Sequence, residues 1–194
     1  MRVSIDIDDV TLSFFPHFRD YCGERNPPLK MIRPFEGDIG SWFGLDENGF
    51  REVHEEFTSS SFYDSMPLVK GFAEVYSEIV SSFDPLHLTA RSQRREKRTI
   101  ECIKRQIPSF DIPIYFSGEF YGRGKNKGQI CKEKGVFVHV EDNPDYISSC
   151  IENGIYVLLF SQPWNRKYSG NGMVQRVEGW EDVMEKLNLL EKRA

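Results

Sequence analysis

The chain has 194 residues, 39% of them hydrophobic, enough for one globular domain with an inserted subdomain. Its formal net charge of −5 excludes broad electrostatic binding to long nucleic acids, which needs many basic side chains set against phosphates. No apolar segment approaches the ~20 residues of a membrane span. The cysteines at 22, 102, 131 and 150 fit neither a zinc spacing nor a disulfide framework, so they read as reduced thiols. Met1-Arg2 leads straight into a strand rather than a signal sequence, and the expected location is cytoplasmic.

In chain order, an apolar run over 2–7 predicts a first strand, and Asp6 and Asp8 stand at its end. Side chains alternate along a strand, so both carboxylates leave on one side and can reach one reacting group. Asp6 could attack phosphorus, and Asp8 could protonate the leaving oxygen and later deprotonate water. The same residues could also cap a helix or hold a ribose.

The stretch 11–70 breaks the alternation seen in the rest of the chain. It is rich in aromatics and turn residues and reads as an inserted, mostly helical cap, leaving 1–10 and 71–194 as the core. Beyond it, strands near 85–90, 112–116, 136–140 and 155–160 alternate with helices near 71–83, 93–106, 127–134, 144–153 and 179–191. That order predicts an α/β fold, a parallel doubly wound sheet.

Open α/β sheets bind ligands outside the carboxyl ends of their strands, so what each strand delivers there is informative. The second ends in Thr89-Ala90-Arg91, which offers a hydroxyl, backbone N–H groups and a guanidinium suited to a phosphate. Arg123-Gly124-Lys125-Asn126-Lys127 opens the next helix and supplies ammonium groups, Lys127 above all. The strand at 136–140 runs into Glu141-Asp142-Asn143-Pro144, a second carboxylate pair that with Asp6 could hold a hard divalent cation. Plainer readings stand beside these. Thr89 and the Glu141–Asn143 segment could simply cap helices, Arg94–Arg98 could be a solvated face, and the aromatics of 11–70 could be interior.

These four segments, in this order, resemble the four motifs of the haloacid dehalogenase (HAD) superfamily of phosphatases. The resemblance spans nearly the whole chain and is closest to the 5'(3')-deoxyribonucleotidase branch and its bacterial and phage relatives. It implies a HAD-like Rossmannoid core with a small helical cap after the first strand. Asp6 would be nucleophile and metal ligand, Asp8 acid/base and backbone metal ligand, and Lys127 the charge-neutralising group. Thr89, Ala90, Arg91 and Lys125 would bind phosphate. Glu141 would lie nearest the metal, supported by Asp142. Phe14, Trp42 and Phe62 match aromatic cap segments that would face a base.

The implied activity is a Mg2+-dependent phosphomonoesterase for nucleoside monophosphates, with a sugar phosphatase or a non-catalytic nucleotide-binding protein as alternatives. The expected partner is a small phosphorylated metabolite, with neither long nucleic acid nor membrane, and a homodimer is compatible with the pattern. Three departures stand out. Asp9 replaces the usual glycine after the second Asp, Ala90 replaces a hydroxyl, and Glu141 stands where a shorter Asp is usual.

Overall fold

The computed structural model describes residues 1–121, 124–170 and 172–192. The chain divides into two compact units, Met1–Leu12 with Leu68–Ala194, and Ser13–Pro67.

The first unit is built on a sheet of β1 (Arg2–Ile5), β2 (Asp84–Thr89), β3 (Ile114–Phe116), β4 (Val138–Glu141), β5 (Tyr156–Phe160) and β6 (Val174–Val177). The order is β3-β2-β1-β4-β5-β6, and every pairing is parallel. Parallel sheets are covered on both faces, which is why β5 reads as a near-continuous apolar run and both β4 and β5 are buried almost throughout. The helices of this unit are α5 (Phe72–Ser82), α6 (Glu96–Lys104), α7 (Lys127–Glu133), α8 (Pro144–Glu152) and α9 (Trp180–Glu191). Five of the strands match the sequence expectation, and β6 is a correction to it. Val-Gln-Arg-Val is short and half polar because it forms an edge, where one side is only partly covered.

Capping and close packing fix where α7 and α8 begin and how they meet. Asn126 caps α7, its Oδ1 accepting the Gln129 N–H at 2.8 Å, and Asn143 with Pro144 caps α8 in the same way. Gly128 lets α7 and α8 touch backbone to backbone, since a Cβ there would lie 1.9 Å from the Ser149 carbonyl oxygen.

The second unit holds α1 (Phe14–Glu24), α2 (Ile39–Trp42), α3 (Glu47–Ser59) and α4 (Ser61–Asp64). Asp38 and Asp46 cap α2 and α3. Its interior is aromatic. Phe18 and Phe57 pack edge to face at 5.3 Å, and Phe15 and Trp42 do so at 4.9 Å. The four cysteines are buried, and none is in a disulfide. No helix among the described residues is long and apolar enough to cross a membrane.

Candidate active site

In this strand order the connections reverse direction between β1 and β4, and the crevice at such a point collects ligands in open α/β sheets. Asp6 directly follows β1, and its N–H still donates to Val140 O of β4 at 2.9 Å. The chain then turns tightly. Thr11 and Leu12 donate their N–H groups to Ile7 O, Asp9 N donates to Leu12 O at 2.7 Å, and the Thr11 hydroxyl donates to Asp6 O at 2.8 Å. Asp9 sits in this turn at φ 56, the left-handed conformation that glycine adopts without strain and that Asp tolerates better than most residues.

Lys127, the first residue of α7, is fully buried. Its Nζ donates to Asp6 Oδ1 at 2.8 Å and to Glu141 Oε2 at 2.7 Å, and it lies 4.3 Å from the centre of the Tyr146 ring. Behind it runs a buried relay. The His139 imidazole joins Glu141 Oε2 at 3.0 Å to Ser4 Oγ at 3.1 Å. The other Glu141 oxygen accepts the N–H groups of Asp142 and Asn143, both at 3.0 Å. Asp142 accepts the Trp164 indole N–H on Oδ2 at 2.8 Å, and its carbonyl accepts from Asn165 Nδ2 at 2.7 Å.

One ammonium cannot neutralise this many carboxylates. Burial opposes ionisation of Glu141, but Lys127 and the hydrogen bond from His139 outweigh it and hold the carboxyl at about 2. For Asp6, burial wins over Lys127, with Glu141 and Asp8 adding to it, and the pKa rises from 3.8 to about 7. Burial first, then Glu141, Asp9 and Asp6, drive that of Asp142 well above its ordinary range. Carboxylate oxygens of Asp6, Glu141 and Asp142 lie within 4.8 Å of one another. Such a set of hard oxygen donors, two of them short of compensating charge, fits a small divalent cation.

The other expected site residues have partners of their own. Asp8 faces Arg91, whose guanidinium clasps its carboxylate. Thr89 is buried at the end of β2, where its hydroxyl accepts the Arg91 N–H at 3.2 Å. Ala90 is buried, and its carbonyl accepts from Phe120 N at 3.3 Å. Lys125 is turned away and paired with Glu133 further along α7. Arg123 lies outside the described residues. In the second unit, Phe14 packs against Phe18, Phe57 and His54, and Trp42 lies between Phe15 and Phe35 and donates to Gly37 O at 3.1 Å. Phe62 is half-buried beside His17 and Tyr21. Sequence reasoning assigned no role to His139, Ser4 or Tyr146. For His139 a signal was there, a histidine two residues before Glu141 and so on the same face of its strand.

No protein-family model matches the sequence, and no curated protein matches it either. Solved structures do match. A HAD family hydrolase from Deinococcus radiodurans R1, with bound phosphate and sodium, superposes with TM-score 0.62 at 14% identity over 98% of this chain and 95% of that one. Magnesium-bound YfnB from Bacillus subtilis gives 0.64 at 15% identity over 96% and 98%. The chain has the haloacid dehalogenase fold. A further structure with this HAD fold, CbbY from Rhodobacter sphaeroides in complex with xylulose-(1,5)bisphosphate, gives 0.57 at 14% identity over 92% and 93%. Identities this low speak for the HAD fold and leave the substrate to the site itself.

Proposed function

We propose that this protein is a magnesium-dependent phosphomonoesterase acting on a small phosphorylated metabolite. The observation that carries the reading is Asp6, a carboxylate at the carboxyl end of central β1, held 2.8 Å from a buried ammonium and beside Glu141 and Asp142. This arrangement suits nucleophilic attack on phosphorus. Lys127 offsets charge on the phosphate and orients the nucleophile, Asp8 transfers the proton, and Thr89 offers its hydroxyl to a phosphate oxygen.

Asp6 and Asp142 would hold the metal with the backbone carbonyl of Asp8. When bound, it supplies further positive charge against the phosphate dianion. Glu141 is better suited to fixing Lys127. Its two oxygens already accept from Lys127, His139 and two backbone N–H groups, whereas Asp142 is bonded through Oδ2.

Within that class we favour nucleoside monophosphates, on the motif and cap resemblance. The sugar-phosphate alternative draws support from CbbY, a protein of the same fold solved with a sugar bisphosphate. Of the three aromatics assigned to a base, Phe62 is the one that keeps open surface, so base recognition rests most on it. The test is phosphate release from a panel of nucleoside monophosphates and sugar phosphates, with magnesium and then with chelator. Release confined to nucleotides and lost with chelator supports the reading, and release confined to sugar phosphates moves the substrate. No release from any member with magnesium present defeats the phosphatase assignment.

A further inference from the structure

Arg91 was expected among the phosphate ligands, but its side chain is committed elsewhere. Nε donates to Asp8 Oδ2 at 2.9 Å and Nη2 donates to Asp8 Oδ1 at 2.6 Å, a two-point clasp that fixes the plane of the carboxylate. The third nitrogen, Nη1, donates to the Thr99 hydroxyl on α6 at 2.9 Å. The backbone is tied as well, through Arg91 N to Thr89 Oγ1 and Gly118 N to Arg91 O. Arg91 is buried, while Asp8 keeps 28% of its side-chain surface open. An anchored cation thus grips a carboxylate that remains accessible.

A guanidinium stays charged at any working pH, so it cannot compete with Asp8 as acid or base. What it supplies is geometry, and proton transfer depends on geometry before all else. We propose that Arg91, anchored on Thr99, is the positioning residue that holds Asp8 in line for proton transfer, rather than a ligand of the transferred phosphate. The inference rests on the phosphatase reading. In the first half-reaction an Asp6 oxygen bonds to phosphorus, the bond from phosphorus to the leaving oxygen breaks, and that oxygen takes the proton of the Asp8 carboxyl. In the second, water oxygen bonds to phosphorus, its proton passes to the Asp8 carboxylate, and the bond between phosphorus and Asp6 breaks. Asp8 ends protonated, as it began. In that state its carboxyl can donate toward the leaving group and still accept from the fork.

The experiment compares kcat, KM and the inhibition constant for inorganic phosphate in the parental protein, R91Q, R91K and T99V, with folding checked by thermal melting. R91Q should lower kcat by about 10–100-fold, at or below the low end of the 10²–10⁴ that a positioned acid or base contributes, with KM and phosphate inhibition within about twofold of parental. R91K should not rescue, because an ammonium keeps the charge and lacks the fork. T99V removes only the anchor and should lower kcat by roughly 3–10-fold in the same pattern, which carries the test if R91Q fails to fold. A raised KM and weakened phosphate inhibition at parental kcat, or full rescue by R91K, would overturn this inference alone. A parental protein inactive on every monoester would overturn it together with the phosphatase reading.

Discussion

Trp164 donates its indole N–H to Asp142 Oδ2 at 2.8 Å, and the pair ties the loop after β5 to the carboxylate proposed to hold magnesium. Partners behind a metal ligand typically change metal affinity by about 10–100-fold when removed. Trp164→Phe should therefore raise the magnesium concentration needed for half-maximal activity by that order while leaving activity at saturating magnesium largely intact. A magnesium titration of phosphate release checks it, and an unchanged midpoint would take Asp142 out of the metal set.

Asp6→Asn should abolish turnover in a protein that melts normally, because both the nucleophile and one of the charges that would hold the ion are gone. Asp8→Asn should lower kcat by about 10²–10⁴-fold and leave magnesium binding comparatively spared, since its backbone carbonyl is untouched. Steady-state kinetics on any accepted monoester decides both. Parental activity in Asp6→Asn would end the covalent mechanism.

Lys127→Met should be costly to the fold as well as to catalysis. It strands two buried carboxylates, and breaking a buried ion pair from one side typically costs about 3–5 kcal/mol. Glu141→Gln in the same chain should recover part of that loss by removing the stranded charge. Urea denaturation of the single and double variants measures it, and a double variant no more stable than Lys127→Met would place the cost elsewhere.

The two shifted carboxyls give opposite pH signatures in metal-free protein. Asp6 has its pKa raised to about 7 from 3.8, so its contribution to stability is fully present below the unfolded value and is lost as pH rises through about 7. Glu141, held at about 2 against 4.5, contributes above its unfolded value and loses that as pH falls toward 2. In chelator, the parental protein should owe Asp6 more of its stability at about pH 5 than at about pH 8, and Asp6→Asn should flatten that part of the profile. Magnesium should raise the melting temperature more at the higher pH, where no proton competes for the carboxylates. Melting curves at both pH values, with and without the ion, are the measurement, and a larger magnesium effect at the lower pH would contradict the assignment.

Phe14→Ala tests the packing of the helical unit before it tests a base. Its ring contacts Phe18, Phe57 and His54, and removing a buried phenyl ring typically costs about 3–5 kcal/mol. A marked fall in melting temperature is expected, with nucleotide and baseless substrates losing activity together. A loss confined to nucleotides in a variant that melts normally would return Phe14 to base recognition.

The sequence carried the sheet well because buried parallel strands announce themselves as apolar runs. It missed β6, whose Gln175 and Arg176 break the pattern. Within the site, residue types were legible and pairings were not. Lys125 and Lys127 were both expected at the site, yet the cap at Asn126 starts a helix that buries Lys127 and leaves Lys125 beside Glu133. Arg91 reads as a phosphate ligand, and its pairing with Asp8, 83 residues away, has no mark in the local sequence. Glu141 reads as a metal ligand, and nothing near it in the sequence shows that its oxygens also accept from Lys127, His139 and two backbone N–H groups. Long-range partners of this kind leave no local trace in a chain.

The contact at Gly128 reaches further than its chemistry. With no side chain of its own, it sets how deeply α7 seats against α8, and the residue before it is the ammonium on which Asp6 depends. In a saturation library selected for turnover, position 128 should be as intolerant of replacement as the nucleophile, even alanine being rejected. A screen read without the structure would then count among the indispensable residues one that never meets a substrate.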